Sequence, residues 1–136
     1  FYNWFAINTG NLCPTGWHVP TDTEFNTLEM YLGIPPASVD IYGWRGTDQG
    51  AQLKNTSGWA AGENGTNTSG FSALPGGYRY GVDGSYNAVG ILTYWWTSSP
   101  DVVPNSWYRR LDGPSSQVYK GTTAKVAGKY VRCVQD

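Results

Sequence analysis

The sequence predicts an α+β domain, with two helices in the N-terminal half and a small twisted antiparallel sheet after them. Three observations carry that reading. A capped apolar stripe between Thr21 and Leu32 is the clearest helix signal. From Tyr78 onward, short runs rich in Tyr, Trp, Val and Leu are separated by Gly, Pro, Asn and Asp, which is strand-and-turn patterning. Gly 18 and Pro 8 in 136 residues, with 15% aromatics, suit a loop-rich chain built largely on β structure. The length suits a single domain spanning 1–136.

In chain order, Tyr2–Ile7 alternates aromatic and polar residues loosely and reads as a first strand. The turn-rich LCPTGWHVP at 12–20 leads into a capping box at Thr21-Asp22-Thr23-Glu24. Asp22 and Glu24 sit at the positive end of the helix dipole, and Phe25, Leu28 and Leu32 form the core-facing stripe. Gly33 and Pro35-Pro36 end that helix. A shorter helix follows Thr47, carries Ala51 and Leu53 and ends by Gly58. Ser57 to Gly77 is a long polar loop anchored by Trp59, Phe71 and Leu74. Tyr78–Val82 and Ser85–Asn87 flank Asp83-Gly84, a hairpin turn. Further strands are expected at 91–97, 106–112, 117–120 and 130–134.

Composition narrows the function. Charged residues are 14%, against about 25% in a typical soluble domain, and the net charge is −1. A nucleic-acid binder carries a basic stripe, and none is present. The longest nearly unbroken apolar run, Ala88 to Trp96, has 9 residues, far short of the ~20 of a spanning helix, so no membrane insertion is expected. The chain opens at Phe1 without an initiator Met or leader, and is expected to be a piece of a longer exported protein. Abundant Tyr and Trp among Ser, Asn and Gly match the make-up of binding surfaces; the other reading is that the rings fill a core poor in Leu and Ile.

Cys13 and Cys133 lie near opposite ends of the chain. The even count and this placement favour a disulfide in an exported domain whose termini meet, which would remove about 5 kcal/mol of unfolded-chain entropy. The alternative is two separate buried thiols. Two cysteines so far apart with one histidine lack the clustered spacing of a structural zinc site.

Six ordered blocks carry a family resemblance: Tyr2-Asn3-Trp4, LCPTGWHVPTDTEF at 12–25, GFSALPGGYRY at 70–80, WWTSS at 95–99, WYRRL at 107–111 and VRCV at 131–134. Together they resemble the Fibrobacter succinogenes major paralogous domain, found in exported and surface lipoproteins of Bacteroidetes-type bacteria. The resemblance covers nearly the whole chain. It implies a C-type lectin-like fold with adjacent termini and, more distantly, kinship with the sulfatase-modifying enzymes. Cys13 and Cys133 match the family's LCP and VRC blocks, which implies a structural pair. Some members with this fold resemble the hypervariable receptors of diversity-generating retroelements, which makes the stretch 101–125 a candidate variable face. One departure stands out: Lys129-Tyr130 replaces the Phe-Ser of the family's usual GFSVRCV ending, so the packing there must differ or the surface must be tolerant.

Catalytic readings are weak. His18 is the sole histidine and precedes a helix cap, where a structural role is the default for a residue a triad would need beside its nucleophile. The sulfatase-modifying relatives use an active-site cysteine pair that this chain does not add to its two end cysteines. The ten acids form no motif for glycoside hydrolysis. The triplets that carry calcium-dependent sugar binding in C-type lectins are missing, and no cofactor is expected. Gly46–Gly50 and Asp83-Gly84-Ser85 would lend oxygens to a structural calcium, but Asp and Gly at such places usually serve turns. The glycan-acceptor triplets at Asn55, Asn64 and Asn67 read as loop polarity.

A binding reading fits better. In the 106–112 strand, alternation puts Trp107, Arg109 and Leu111 on a core face and Tyr108 and Arg110 outward. The next strand buries Val118 and exposes Tyr119. Of Trp95 and Trp96, one is expected in the core and the other semi-exposed. The candidate patch is therefore Tyr108, Arg110, Asp112 and Tyr119, with Trp96 and Asn105 completing the site. The expectation is a non-catalytic extracellular or cell-surface module that binds a glycan or a protein surface. The alternatives are a structural surface or pilus-tip domain with no ligand, and a degenerate enzyme of the sulfatase-modifying type.

Overall fold

A computed structural model describes residues 1–136. The helices are α1 (Trp4–Ile7), α2 (Asp22–Tyr31), α3 (Pro36–Val39) and α4 (Gln49–Leu53). The strands are β1 (Trp17–His18), β2 (Gly43–Arg45), β3 (Tyr78–Arg79), β4 (Tyr86–Asn87), β5 (Leu92–Pro100), β6 (Asn105–Asp112), β7 (Val118–Ala124) and β8 (Val134–Gln135). The domain is α+β, and its centre is a four-stranded antiparallel sheet ordered β2-β7-β6-β5. Two small pairs, β1-β8 and β3-β4, flank it.

Helix α2 forms as its sequence dictates. Thr21 Oγ1 accepts from Glu24 N at 3.2 Å, and Glu24 returns the bond by accepting from Thr21 N at 2.7 Å. Phe25 is buried and Leu28 and Leu32 pack beside it, against a core of Leu53, Trp59, Trp95, Leu111 and Val118. The same helix turns a polar edge inward. Glu29, only 1% exposed, receives Arg45 Nη1 at 2.6 Å and Nη2 at 3.0 Å from β2, and Arg109 Nε at 2.7 Å from β6. Arg109 Nη1 also reaches Asp22 Oδ1 at 2.6 Å, and Lys120 Nζ of β7 reaches Asp22 Oδ2 at 2.7 Å. Asp40 closes the chain of charges by accepting from Lys120, which, with Asn26, holds its carboxyl below the ordinary range. Three strands are thus fastened to one helix by paired ions.

Two expected strands are corrected. Tyr2–Ile7 is mostly helical: Asn3 caps α1 by accepting from Ala6 N at 3.1 Å, and Trp4 and Ile7 at i, i+3 enter the core. Its loose alternation fitted either period, and only Tyr2 pairs, with Lys129. The 130–134 strand is reduced to β8, which pairs with β1, while Lys129 and Tyr130 make single bridges to Tyr2 and Trp95. Two helical turns were not expected, α1 and the Pro-initiated α3. The loop from 57 to 77 holds no helix or ladder strand, and the Asp83-Gly84 hairpin is present with shorter strands than expected.

Cys13 and Cys133 are joined, 120 residues apart, with Cα atoms at 5.9 Å. Nearby, His18 sits between Asp136 Oδ1 at 2.6 Å and Glu24 Oε1 at 2.8 Å, and these bonds, Asp136 first, raise its pKa above the ordinary value. The only histidine is a clip between the C-terminus and α2. No helix is long and apolar enough to cross a membrane.

Two outcomes follow for stability. Glu29→Ala leaves two buried guanidinium groups without their shared carboxylate and should lower the unfolding free energy by about 3–5 kcal/mol in urea titrations. A loss under about 1 kcal/mol would show that the ion network does not hold α2. Unfolded, unreduced protein should titrate no free thiol, and reduction should cost up to about 5 kcal/mol, as closure of so long a loop implies.

Candidate functional site

The side of the central sheet facing away from α2 carries a row of rings. Trp44 of β2 lies opposite Tyr119 of β7, and Arg110 of β6 lies opposite Tyr119 on the other flank. Alternation then lines up Trp44, Tyr119, Tyr108 and Tyr94, with Tyr78 of β3 beyond. Centroid spacings are 5.2 Å for Trp44–Tyr119, 6.1 Å for Tyr119–Tyr108, 5.2 Å for Tyr108–Tyr94 and 5.3 Å for Tyr94–Tyr78. Gly121 makes the Tyr119–Tyr108 stack possible, because a Cβ there would stand 2.7 Å from the Tyr119 ring and 2.9 Å from the Tyr108 hydroxyl. Arg110 lies in the row, with Cζ 5.5 Å from the Trp44 centroid, 5.6 Å from Tyr94 and 5.7 Å from Tyr119. Asp112 grips it through both oxygens. Burial works against the Arg110 charge, yet the Asp112 bonds outweigh it and hold its pKa above the ordinary value.

At the other end of the row sits Lys129, 3% exposed. Its Nζ is 4.1 Å from the Tyr94 centroid, 4.6 Å from Tyr108, 5.0 Å from Trp96 and 5.9 Å from Tyr78. Removal from water pushes its pKa down to about 7, and Arg110 adds to the fall. Beside it opens a cavity of about 400 Å³ whose walls include Tyr78, Tyr80, Tyr94, Tyr108, Val126 and Lys129.

The family model described as the Fibrobacter succinogenes major domain matches residues 1–135. The chain belongs to that family. No curated protein and no solved structure matches it.

In this Fibrobacter succinogenes major domain the expected patch is only partly assembled. Tyr108, Arg110, Asp112 and Tyr119 do lie together, and the expected alternation of faces along β6 holds. Their exposure differs from expectation. Tyr108 is 8% exposed and Trp96 0%, because the second face of the sheet is also covered: Trp4 and Ile7 of α1, Val19 and Ala127 pack on it. Trp95 lies in the core beneath α2, so neither tryptophan of the pair is semi-exposed. Trp96 Nε1 donates to Tyr2 O at 3.0 Å, a structural bond. Tyr119, Arg110 and Asp112 are half-buried, and Asn105 stands apart at the start of β6, opposite Ala124.

Trp44, Tyr94, Tyr78 and Lys129 were missed by sequence reasoning. Trp44 lies in a three-residue strand whose pairing with β7 nothing local announces. Lys129 carried a signal, as the break in the family's closing motif. The turn segments considered for calcium serve the backbone: Asp83 Oδ1 accepts from Ser85 N at 2.9 Å, and Gln49 Oε1 accepts from Thr47 N at 2.8 Å. No group of three or more His, Cys, Asp or Glu side chains is placed to hold a metal ion.

Lys129 makes stability depend on pH in a definite direction. The unfolded lysine keeps its proton to above pH 10, whereas the folded one releases it near 7, so between those values the unfolded state binds more protons and stability rises with pH. Urea unfolding should show a gain of about 1–2 kcal/mol between pH 7.5 and 9 that Lys129→Met loses, since each unit contributes at most about 1.4 kcal/mol. Equal pH slopes for the two proteins would place the Lys129 amine in water.

Proposed function

We propose that this domain is a non-catalytic, extracellular or cell-surface recognition module with a C-type lectin-like fold, and that it binds a glycan on the aromatic face of its central sheet. One observation carries the reading: a row of rings from Trp44 to Tyr78 with the Arg110–Asp112 pair set into it. Ring faces pack against the C–H side of a sugar, while a guanidinium and a carboxylate exchange hydrogen bonds with its hydroxyls. Trp44 and Tyr119 are the accessible end of this row, so they anchor the ligand, as aromatic and Arg residues do at binding hot spots.

Support for an oxidising location comes from the Cys13–Cys133 bond, since such bonds persist outside the reducing cytosol. Three of the ten acids are tied up in ion pairs of the sheet: Glu29 and Asp22 hold it to α2, and Asp112 holds Arg110.

A glycan array probed with the domain, followed by calorimetry on the hits, tests the reading. Trp44→Ala and Tyr119→Ala should each weaken binding about 30-fold, the scale of a 2 kcal/mol hot spot, with little change in Tm. Hits whose affinity neither variant changes would move the site elsewhere, and an array without hits beside a positive surface-protein screen would replace the glycan with a protein partner.

A further inference from the structure

The chain buries three lysines, Lys54, Lys120 and Lys129. Two are satisfied. Lys54 Nζ donates to the carbonyls of Asp112, Gly113 and Ser115 at 3.2, 2.5 and 3.1 Å, and Lys120 Nζ is paired with Asp22 and Asp40. Lys129 has rings alone. It enters none of the ion pairs, and the one charge that acts on it, Arg110, has its own sign. Ring faces attract an ammonium, but they do not replace a counter-ion. A cavity of about 400 Å³ opens beside that amine.

We propose that the Lys129 cavity receives the carboxylate of a small acidic sugar of the uronic acid class, with the Lys129 ammonium as its partner. This rests on the glycan-recognition reading and names the ligand class for the inner end of the same row. The volume of about 400 Å³ lies in the range of small-molecule sites, roughly 300–1,000 Å³, whereas a protein partner needs about 800 Å² of contact. One ammonium balances one carboxylate, and a phosphate dianion would remain half-neutralised. The walls include Tyr78, Tyr80, Tyr94, Tyr108 and Thr123, residue types whose rings and hydroxyls are the groups a sugar uses. The groups that face Lys129 are Tyr78 from β3, Tyr94 and Trp96 from β5, and Tyr108 and Arg110 from β6, so the amine and the permanently charged Arg110 are the groups that set the response near pH 7.

The test is carbon–proton NMR of the intact domain labelled at lysine, tryptophan and tyrosine. The Lys129 Hε–Cε signal is assigned by its loss in Lys129→Met, or Lys129→Gln if that folds better, and the Trp44 and Tyr119 ring signals by their loss in Trp44→Ala and Tyr119→Ala. Sodium glucuronate is titrated against glucose and N-acetylalanine at constant ionic strength. The expected result is saturable movement of the Lys129 signal with glucuronate alone. Its titration midpoint should rise by at least one pH unit in the complex, and affinity should weaken about tenfold per unit above pH 7 as the free amine deprotonates. Three results overturn the proposal. If Trp44 and Tyr119 signals move with sugars while Lys129 stays still, the recognition reading stands and the cavity assignment falls. If N-acetylalanine matches glucuronate, the site takes carboxylates without regard to a sugar. If neither sugar nor any array hit moves any signal, both readings fall together.

Discussion

Glu29 is the constraint on which the arrangement depends. A carboxylate with 1% exposure inside a protein is costly unless it is paired and hydrogen-bonded, and here two guanidinium groups from separate strands donate three bonds to it. Arg45 and Arg109 lie on β2 and β6, with β7 between them, and Lys120 of β7 joins through Asp22. The network therefore specifies the distance and rotation of α2 relative to three strands at once. Apolar packing by Phe25, Leu28 and Leu32 would permit the helix to slide, since it is non-directional. The ion pairs would not, because a shift of one residue strands a buried charge.

Fixing that side of the sheet determines what the opposite side can be. Strand alternation sends Arg109 and Val118 toward α2 and, by the same step, Arg110 and Tyr119 away from it. The aromatic row is thus in register with the buried salt bridges one residue over. Its rings need no separate scaffold: Tyr119 and Tyr108 stack because their strands are held and because Gly121 leaves them room. A rigid row of aromatics would offer the proposed ligand contact area with little ordering cost on binding.

How much of this was legible follows from where each signal lies. The α2 helix was readable because the capping box and apolar stripe are local, within twelve residues. The Asp83-Gly84 hairpin was readable for the same reason. The ion network was not: Glu29 and Arg45 resemble ordinary surface charges, and alternation put Arg109 on the core face without naming its partner, which appears only when three distant segments meet. Tyr108 was placed on the correct face but in the wrong environment. Alternation reports side, whereas burial depends on what covers that side, and here the cover comes from α1 and residues around Ala127. At Tyr2–Ile7 the first turn of a helix and a loose strand pattern coincide, and the Asn3 cap decides between them.

Lys129 shows why departures from a pattern merit physical attention. A lysine in place of an aromatic residue at a strand entry suggests a solvated surface, because charged side chains are seldom buried. The chain instead places it under four rings, next to the crossing where Tyr2 and Lys129 bond backbone to backbone at 2.9 and 3.0 Å. Those two bonds fix the backbone, so the side chain cannot be relieved by moving the strand; it must point across the Tyr94–Tyr108 pair. Folding then leaves the Lys129 amine with ring partners alone at the wall of a cavity, and that is the ground on which an anionic ligand is proposed there.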